Sequence, residues 1–235
     1  MGGLHIDYGS GLGDYVVERA LRDPDSLFVG VESEAFCIDI AWGKAREAGA
    51  TNARFMQVGS HTALDDLFID GEAVEITLNF PTPHPHARDE EQRLTNREHL
   101  LACRRVLAPG GILRLKTDSQ PLRDYTLLQL EAAGFVLEWS VDDIRDALPD
   151  DPVTGYEQRL SELGAPVLAF QARVGGKPSP EPPDVSASLF DYLPDDLESL
   201  DYIPADMERS VRNLIEARQR VEEGRRRRME GQDVL

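Results

Sequence analysis

Apolar and polar positions along the first 174 residues switch repeatedly between two periods. Short apolar runs predict strands at 4–8, 26–32 (SLFVGVE), 53–58, 73–79 (AVEITLN), 111–117 (GILRLKT), 135–140 and 167–173. Between them, apolar residues at helical spacing predict helices over 14–22, 36–48, 93–107 and 121–133. Gly49, the Pro109-Gly110-Gly111 turn and Gly134 stop the last three of these. Strands that alternate with helices predict an α/β fold, with a mostly parallel sheet covered on both faces. Ligands of such sheets bind beyond the C-terminal ends of the strands.

The pattern changes at Gly175. The run GGKPSPEPP reads as an extended, semi-rigid linker. Residues 1–174 form one predicted domain and 175–235 an acidic C-terminal segment. That segment holds a tandem repeat with an offset of ten residues: FDYLPDDLE is echoed by LDYIPADME. The second copy runs into an amphipathic helix carrying Met207, Val211, Leu214, Ile215 and Val221, predicted to end near Gly224 ahead of the arginines at 225–228. Two copies are too few for a solenoid.

Composition narrows the class. A 235-residue chain with 41% hydrophobic residues can build a real core, which excludes wholesale disorder. No stretch approaches the ~18 apolar residues of a membrane span, and no basic-then-apolar leader is evident. Cys37 and Cys103 alone make neither a disulfide framework nor a zinc knuckle. These features read as a soluble, reduced, cytoplasmic protein without a metal. The net charge of −18 argues against non-specific nucleic-acid binding.

The strongest local signal is Asp7-Tyr8-Gly9-Ser10-Gly11-Leu12-Gly13, between the first strand and the first helix. Glycines there let the backbone turn sharply and approach a ligand closely. Glu32 ends the second strand, where an acid is placed to accept hydrogen bonds from a ribose. NAD and S-adenosylmethionine (SAM) both carry such a ribose. The short G-x-G-x-G pattern, the Asn79-Phe80-Pro81 turn after the fourth strand and the Leu107–Gly111 connector favour SAM.

In that order, IDYGSGLG, FVGVE, DDLFIDG, LNFPTPHP, RVLAPGGILRLKTD, LEAAGF and TGYEQRLSELGAPV resemble the bacterial tRNA (guanine-N7)-methyltransferases over about residues 4–174. The resemblance implies a Rossmann-like class I methyltransferase fold of seven strands, the last antiparallel. It implies SAM as cofactor, with Asp7, Gly9, Gly11, Glu32 and Asn79 as candidate contacts. It implies tRNA as substrate, with Lys116, Thr117, Asp118, Thr154, Tyr156 and Glu157 facing the target guanine. Asp118 and Glu157 suit plainer jobs as well, a helix N-cap and a surface salt bridge.

This chain departs from the family pattern in several places. The turn N-F-P-D-P-W-P has Thr82 for its Asp and His84 for its Trp, so the catalytic candidates are Thr82 and Asp118. The third strand lacks its usual terminal Asp, for which Gln57 or Ser60 is the available substitute. The family's extension ahead of the first strand has no counterpart in the matched residues. The 189–223 segment is therefore expected either to wrap the domain in its place or to dock a protein partner. Arg88, Arg93, Arg97, Arg104 and Arg105 form the candidate phosphate-binding cluster, with 225–228 as a second. Methylation of another substrate, or a binding role on a retained fold, is the alternative.

Overall fold

The computed structural model describes residues 2–59 and 62–232. In chain order its main elements are β1 (Leu4–Tyr8), α1 (Asp14–Arg22), β2 (Leu27–Glu32), α2 (Ala35–Ala48), β3 (Ala53–Gln57) and β4 (Ala73–Asn79). They continue with α3 (Arg97–Val106), β5 (Leu107–Thr117), α4 (Gln120–Ala132), β6 (Phe135–Val141), α5 (Ile144–Ala147), α6 (Gly155–Glu162), β7 (Leu168–Val174) and α7 (Ala205–Gln232).

The seven strands form one sheet in the order β3-β2-β1-β4-β5-β7-β6. All pairs up to β5 are parallel, and β7 runs antiparallel to both β5 and β6. The chain leaves β1 to one side and returns to the other through β4. The ends of β1 and β4 therefore diverge, and a crevice opens beyond Tyr8 and Asn79. The central strands are apolar runs because helices cover both faces. On one face α1 and α2 pack on Phe28 and Phe55. On the other, Leu100, Cys103 and Val106 of α3 and Leu130 of α4 pack on Ile6, Ile76 and Leu113. Among the described residues no helix is long and apolar enough to cross a membrane.

Three boundaries differ from the sequence expectation by more than one residue. The helix expected from residue 93 starts at Arg97, because the Asn96 side chain caps it by accepting from His99 N at 2.9 Å. The fifth strand starts at Leu107, not 111. The ladder slips between Ala73↔Leu107 and Glu75↔Ile112, so the expected Pro-Gly-Gly turn is an irregularity inside one strand. Helix α7 continues through Gly224 to Gln232. One interior glycine costs only about 1 kcal/mol, and the flanking Glu and Arg residues are good helix formers. Helices α5 and α6 escaped the sequence reading because they are short and lack an apolar stripe.

The C-terminal segment wraps the domain. Gly176 N bonds Gly134 O at 3.0 Å, Ser179 N bonds Ala132 O at 2.8 Å, and Leu189 N bonds Pro85 O at 2.9 Å. Leu189, Met207 and Val211 are buried against Leu122 and Tyr125 of α4. Phe190, Tyr192, Leu193, Leu200 and Ile203 of the repeat pack against the same cluster.

The candidate phosphate cluster is corrected by contacts within the chain. Arg97 and Arg104 donate to the linker carbonyls of Ser179 (2.5 Å) and Gly176 (2.9 Å). Arg105 pairs with Asp65 and Asp70, and Arg93 is fully buried. Arg88 stays exposed, with Asp89 at 3.6 Å. The side chains at 225–228 lie outside the described ones.

Met207 is 0% exposed. Met207→Ala is expected to lower the unfolding free energy by at least about 2 kcal/mol in denaturant titration. An unchanged midpoint would mean that the segment is not packed on the domain.

Candidate active site

The crevice beyond β1 and β4 holds a cavity of about 570 Å³, a usual size for a small-molecule site. Its floor is the turn after β1. Gly9, Gly11 and Gly13 have φ of 82°, 50° and 76°, a region that side-chain-bearing residues rarely occupy. At Gly13 an added Cβ would also lie 2.5 Å from the Ala41 Cβ. At Gly11 it would meet nothing within 4 Å, because that side of the turn faces the cavity.

The Glu32 carboxylate is fixed from two directions. Its Oε2 accepts from Gly11 N at 2.8 Å. Its Oε1 accepts from Ser33 N at 2.7 Å and Glu34 N at 3.1 Å. It lines the cavity already oriented.

Asp7, at the end of β1, is buried. Its Oδ1 accepts from Thr77 Oγ1 at 2.9 Å and Asn79 Nδ2 at 2.8 Å. Burial pushes its pKa up to about 6, against the pull of those two hydrogen bonds. Asp7 thereby aims the Asn79 amide. Ser10 Oγ is buried and has no partner among the described residues.

The opposite wall is the loop after β4. Phe80 and His84 take positive φ of 51° and 46°, strained for residues with a Cβ. Two contacts hold that strain. Phe80 N donates to Lys116 O at 2.7 Å. The buried Arg93 guanidinium donates to the carbonyls of Pro83 (3.1 Å), His84 (2.7 and 2.9 Å) and His86 (3.2 Å), and it stacks 4.8 Å over the Tyr125 ring. Arg93 is thus the clamp of this loop, a role invisible in its spacing along the chain. Thr82 is exposed and lines the cavity with His84, whose pKa burial lowers.

The third side comes from α6. Thr154 caps the helix by accepting from Glu157 N at 3.1 Å. Tyr156 is half-exposed and meets Phe80 edge-on at 5.5 Å. The exposed Arg159 lies on the same rim.

The sequence candidates therefore divide. Asp7, Gly9, Gly11, Glu32, Asn79, Thr82, Thr154 and Tyr156 line the cavity. Lys116, Thr117, Asp118 and Glu157 do not; Lys116, Thr117 and Glu157 are buried, which corrects the expectation that they face a substrate. Thr117 is fully buried and its Oγ1 accepts from Ser119 N at 3.1 Å. Lys116 Nζ donates to Asp151 Oδ2 and Glu157 Oε2, both at 2.8 Å, and to Pro152 O at 3.1 Å. Arg145 reaches the other Glu157 oxygen at 2.5 Å. This buried ion network ties α6 to β5. Asp118 is half-buried, and its Oδ2 accepts from the Tyr202 hydroxyl at 2.7 Å. Gln57 turns outward to Ser33 O at 3.3 Å and does not line the cavity. Ser60 lies outside the described residues. Sequence reasoning missed Arg93 as a clamp, Arg145, Asp151 and the Phe80–Tyr156 pair.

A glycine turn open to a cavity and an oriented carboxylate beside it fit a nucleoside. That site on this strand order defines a class I SAM-dependent methyltransferase fold. Solved structures agree on the fold. The chain superposes on geranyl diphosphate C-methyltransferase from Streptomyces coelicolor A3(2) with a TM-score of 0.52 and 19% identity, over 74% of each chain. It superposes on an antibiotic-related methyltransferase at 0.54 and 16%, over 74% of this chain and 88% of that one. The [4+2]-cyclase SpnF matches at 0.53 and 19%, over 75% and 76%, so the fold alone does not fix a reaction.

Sequence comparison goes further. A family model described as "Putative methyltransferase" matches residues 2–170. The tRNA (guanine-N(7)-)-methyltransferase of Geobacillus kaustophilus (strain HTA426) is 35% identical over 170 residues, 72% of this chain and 78% of that protein. The Bacillus subtilis (strain 168) enzyme of the same name is 32% identical over 165 residues, 70% and 77%. The chain belongs to the tRNA (guanine-N7)-methyltransferase family.

Proposed function

We propose that this protein transfers a methyl group from SAM to N7 of a guanine in tRNA, in the cytoplasm. The observation that carries the reading is one cavity walled on one side by the glycine turn and Glu32 and on the other by Asn79, Thr82 and Tyr156. SAM, when bound, supplies an electrophilic sulfonium methyl group.

The chain's own part is to bind and to orient. Glu32 offers its fixed carboxylate to ribose hydroxyls, and Gly9 and Gly11 let the backbone approach closely. Asp7 holds the Asn79 amide at the junction of the two sides. Guanine N7 carries a lone pair that needs no deprotonation, so no general base is required. Thr82 in place of a carboxylate is compatible with that chemistry, which rests on alignment of the reacting atoms. Phe80 and Tyr156 present ring faces and edges to a flipped-out base. The second oxygen of Asp118, whose charge acts on the cavity-lining Tyr156, is assigned to the purine's N–H donors. Arg159 and Arg88 remain for phosphate contact.

One observation favours a second reading, the same transfer to a substrate other than tRNA: Arg93, Arg97, Arg104 and Arg105 are all committed within the chain. Incubation of the protein with methyl-tritiated SAM and unmodified tRNA separates the two. Label in 7-methylguanosine after nuclease digestion is expected, and Thr82→Asp is expected to keep it. SAM binding without label in tRNA would support the second reading instead.

A further inference from the structure

Residues 175–232 fall outside the family match, yet they sit on the loops after β4 and β5, the first of which lines the cavity. Leu189 bonds Pro85, in the loop after β4. Met207 Sδ lies 4.0 Å from Ser119 Oγ, immediately after Asp118. Leu189 and Met207 are both fully buried. Between these two anchors the Tyr202 hydroxyl donates to Asp118 Oδ2 at 2.7 Å. The two repeat tyrosines have thus parted in role. Tyr192 bonds its own segment at Ser186 O (2.9 Å) and packs edge-on against Tyr125, whereas Tyr202 reaches the domain's candidate substrate carboxylate.

We propose that Tyr202 is a positioning residue for the methyl acceptor: it pins one oxygen of Asp118 and turns the other toward the N–H donors of the purine. The proposal rests on the reading that Asp118 grips the target guanine. A carboxylate has two acceptor oxygens, and a hydroxyl bonded to one of them fixes the rotamer while leaving the other to a ligand. Such a charge-assisted bond is among the stronger ones. Its delivery by a segment anchored at both ends makes the geometry ready before substrate arrives. The charged and titratable groups facing Asp118 are Tyr202 and Asp206 from the C-terminal segment and Tyr156 from α6. Burial raises the Asp118 pKa first of all; the Tyr202 bond lowers it, and Asp206 raises it. Loss of the hydroxyl therefore moves that pKa up, and loss of the Asp206 charge moves it down.

The test uses the full-length protein. Tyr202→Phe keeps the ring and is expected to lower kcat/KM for tRNA by about tenfold, mainly through KM. Carbon-13 NMR of the Asp118 carboxyl is expected to show a higher titration midpoint in Tyr202→Phe and a lower one in Asp206→Asn. Tyr192→Phe, which removes the sister hydroxyl, is expected to leave the midpoint in place. Transfer to tRNA by the wild type, with KM and midpoint unmoved in Tyr202→Phe, would overturn the role of Tyr202 alone. No transfer to tRNA by the wild type would overturn the functional reading, and the substrate half of the proposal with it.

Discussion

Replacement of Lys116 by methionine is expected to lower the unfolding free energy by about 3–5 kcal/mol. Lys116 is 1% exposed, and its ammonium lies 2.8 Å from both Asp151 and Glu157 and 4.9 Å from the centre of the Tyr15 ring. Those carboxylates are themselves 3% and 2% exposed. Removing the cation leaves two buried anions, with Arg145 on Glu157 and Arg114 only 4.0 Å from Asp151. An uncompensated buried charge costs more than the pair ever contributed. The double variant Lys116→Met/Glu157→Gln is therefore expected to recover part of the loss. Urea titration of the three proteins checks this. A loss below about 1 kcal/mol in the single variant would match an exposed surface pair instead. Thr154 and Tyr156 flank Glu157, so the single variant is expected to raise KM for the acceptor as well.

Replacement of Glu32 by alanine is expected to weaken SAM binding about 100-fold. Hydrogen bonds to a charged partner are worth about 1.5–3 kcal/mol each, and tenfold in affinity corresponds to about 1.4 kcal/mol. Two ribose hydroxyls on one carboxylate account for the size of the effect. The same variant frees Gly11 N, which now donates to Oε2, and so loosens the glycine turn. Glu32→Gln keeps one acceptor and is expected to fall between the two. Calorimetric titration of each variant reads the effect directly, and equal affinities would place the ribose elsewhere.

How much of this was legible in the chain depends on the range of the forces involved. β1, α1 and β4 match their expected limits residue for residue, because their apolar runs end abruptly in glycine, proline or charge. The glycine turn and Glu32 could be read because strand-turn-helix order alone brings them together. Asn79 and Thr82 followed from the strand end that carries them. The resemblance supplied the antiparallel last strand, which no periodicity states. Side-chain pairings made across long stretches of chain were not legible. The Lys116–Glu157 contact spans 41 residues, and Arg97 to Ser179 spans 82. Each cation reads in sequence as a solvated or ligand-facing charge until the fold supplies its partner. Arg93 is the sharpest case. Its spacing placed it on a helix face with Arg97 and Arg104, whereas the helix begins after it and its guanidinium turns inward to three loop carbonyls. The C-terminal segment was legible only as a choice between wrapping the domain and docking a partner. The apolar residues spaced through it (Leu189, Met207, Val211) cover a face of α4, a pairing that its acidic, Pro-rich composition does not announce.

The most direct test of the SAM site itself is a calorimetric titration of SAM, and of its demethylated product, into the purified full-length protein. Micromolar binding of both is expected, from a cavity whose carboxylate and glycine turn are already in place. No detectable heat or saturation at millimolar ligand would contradict it.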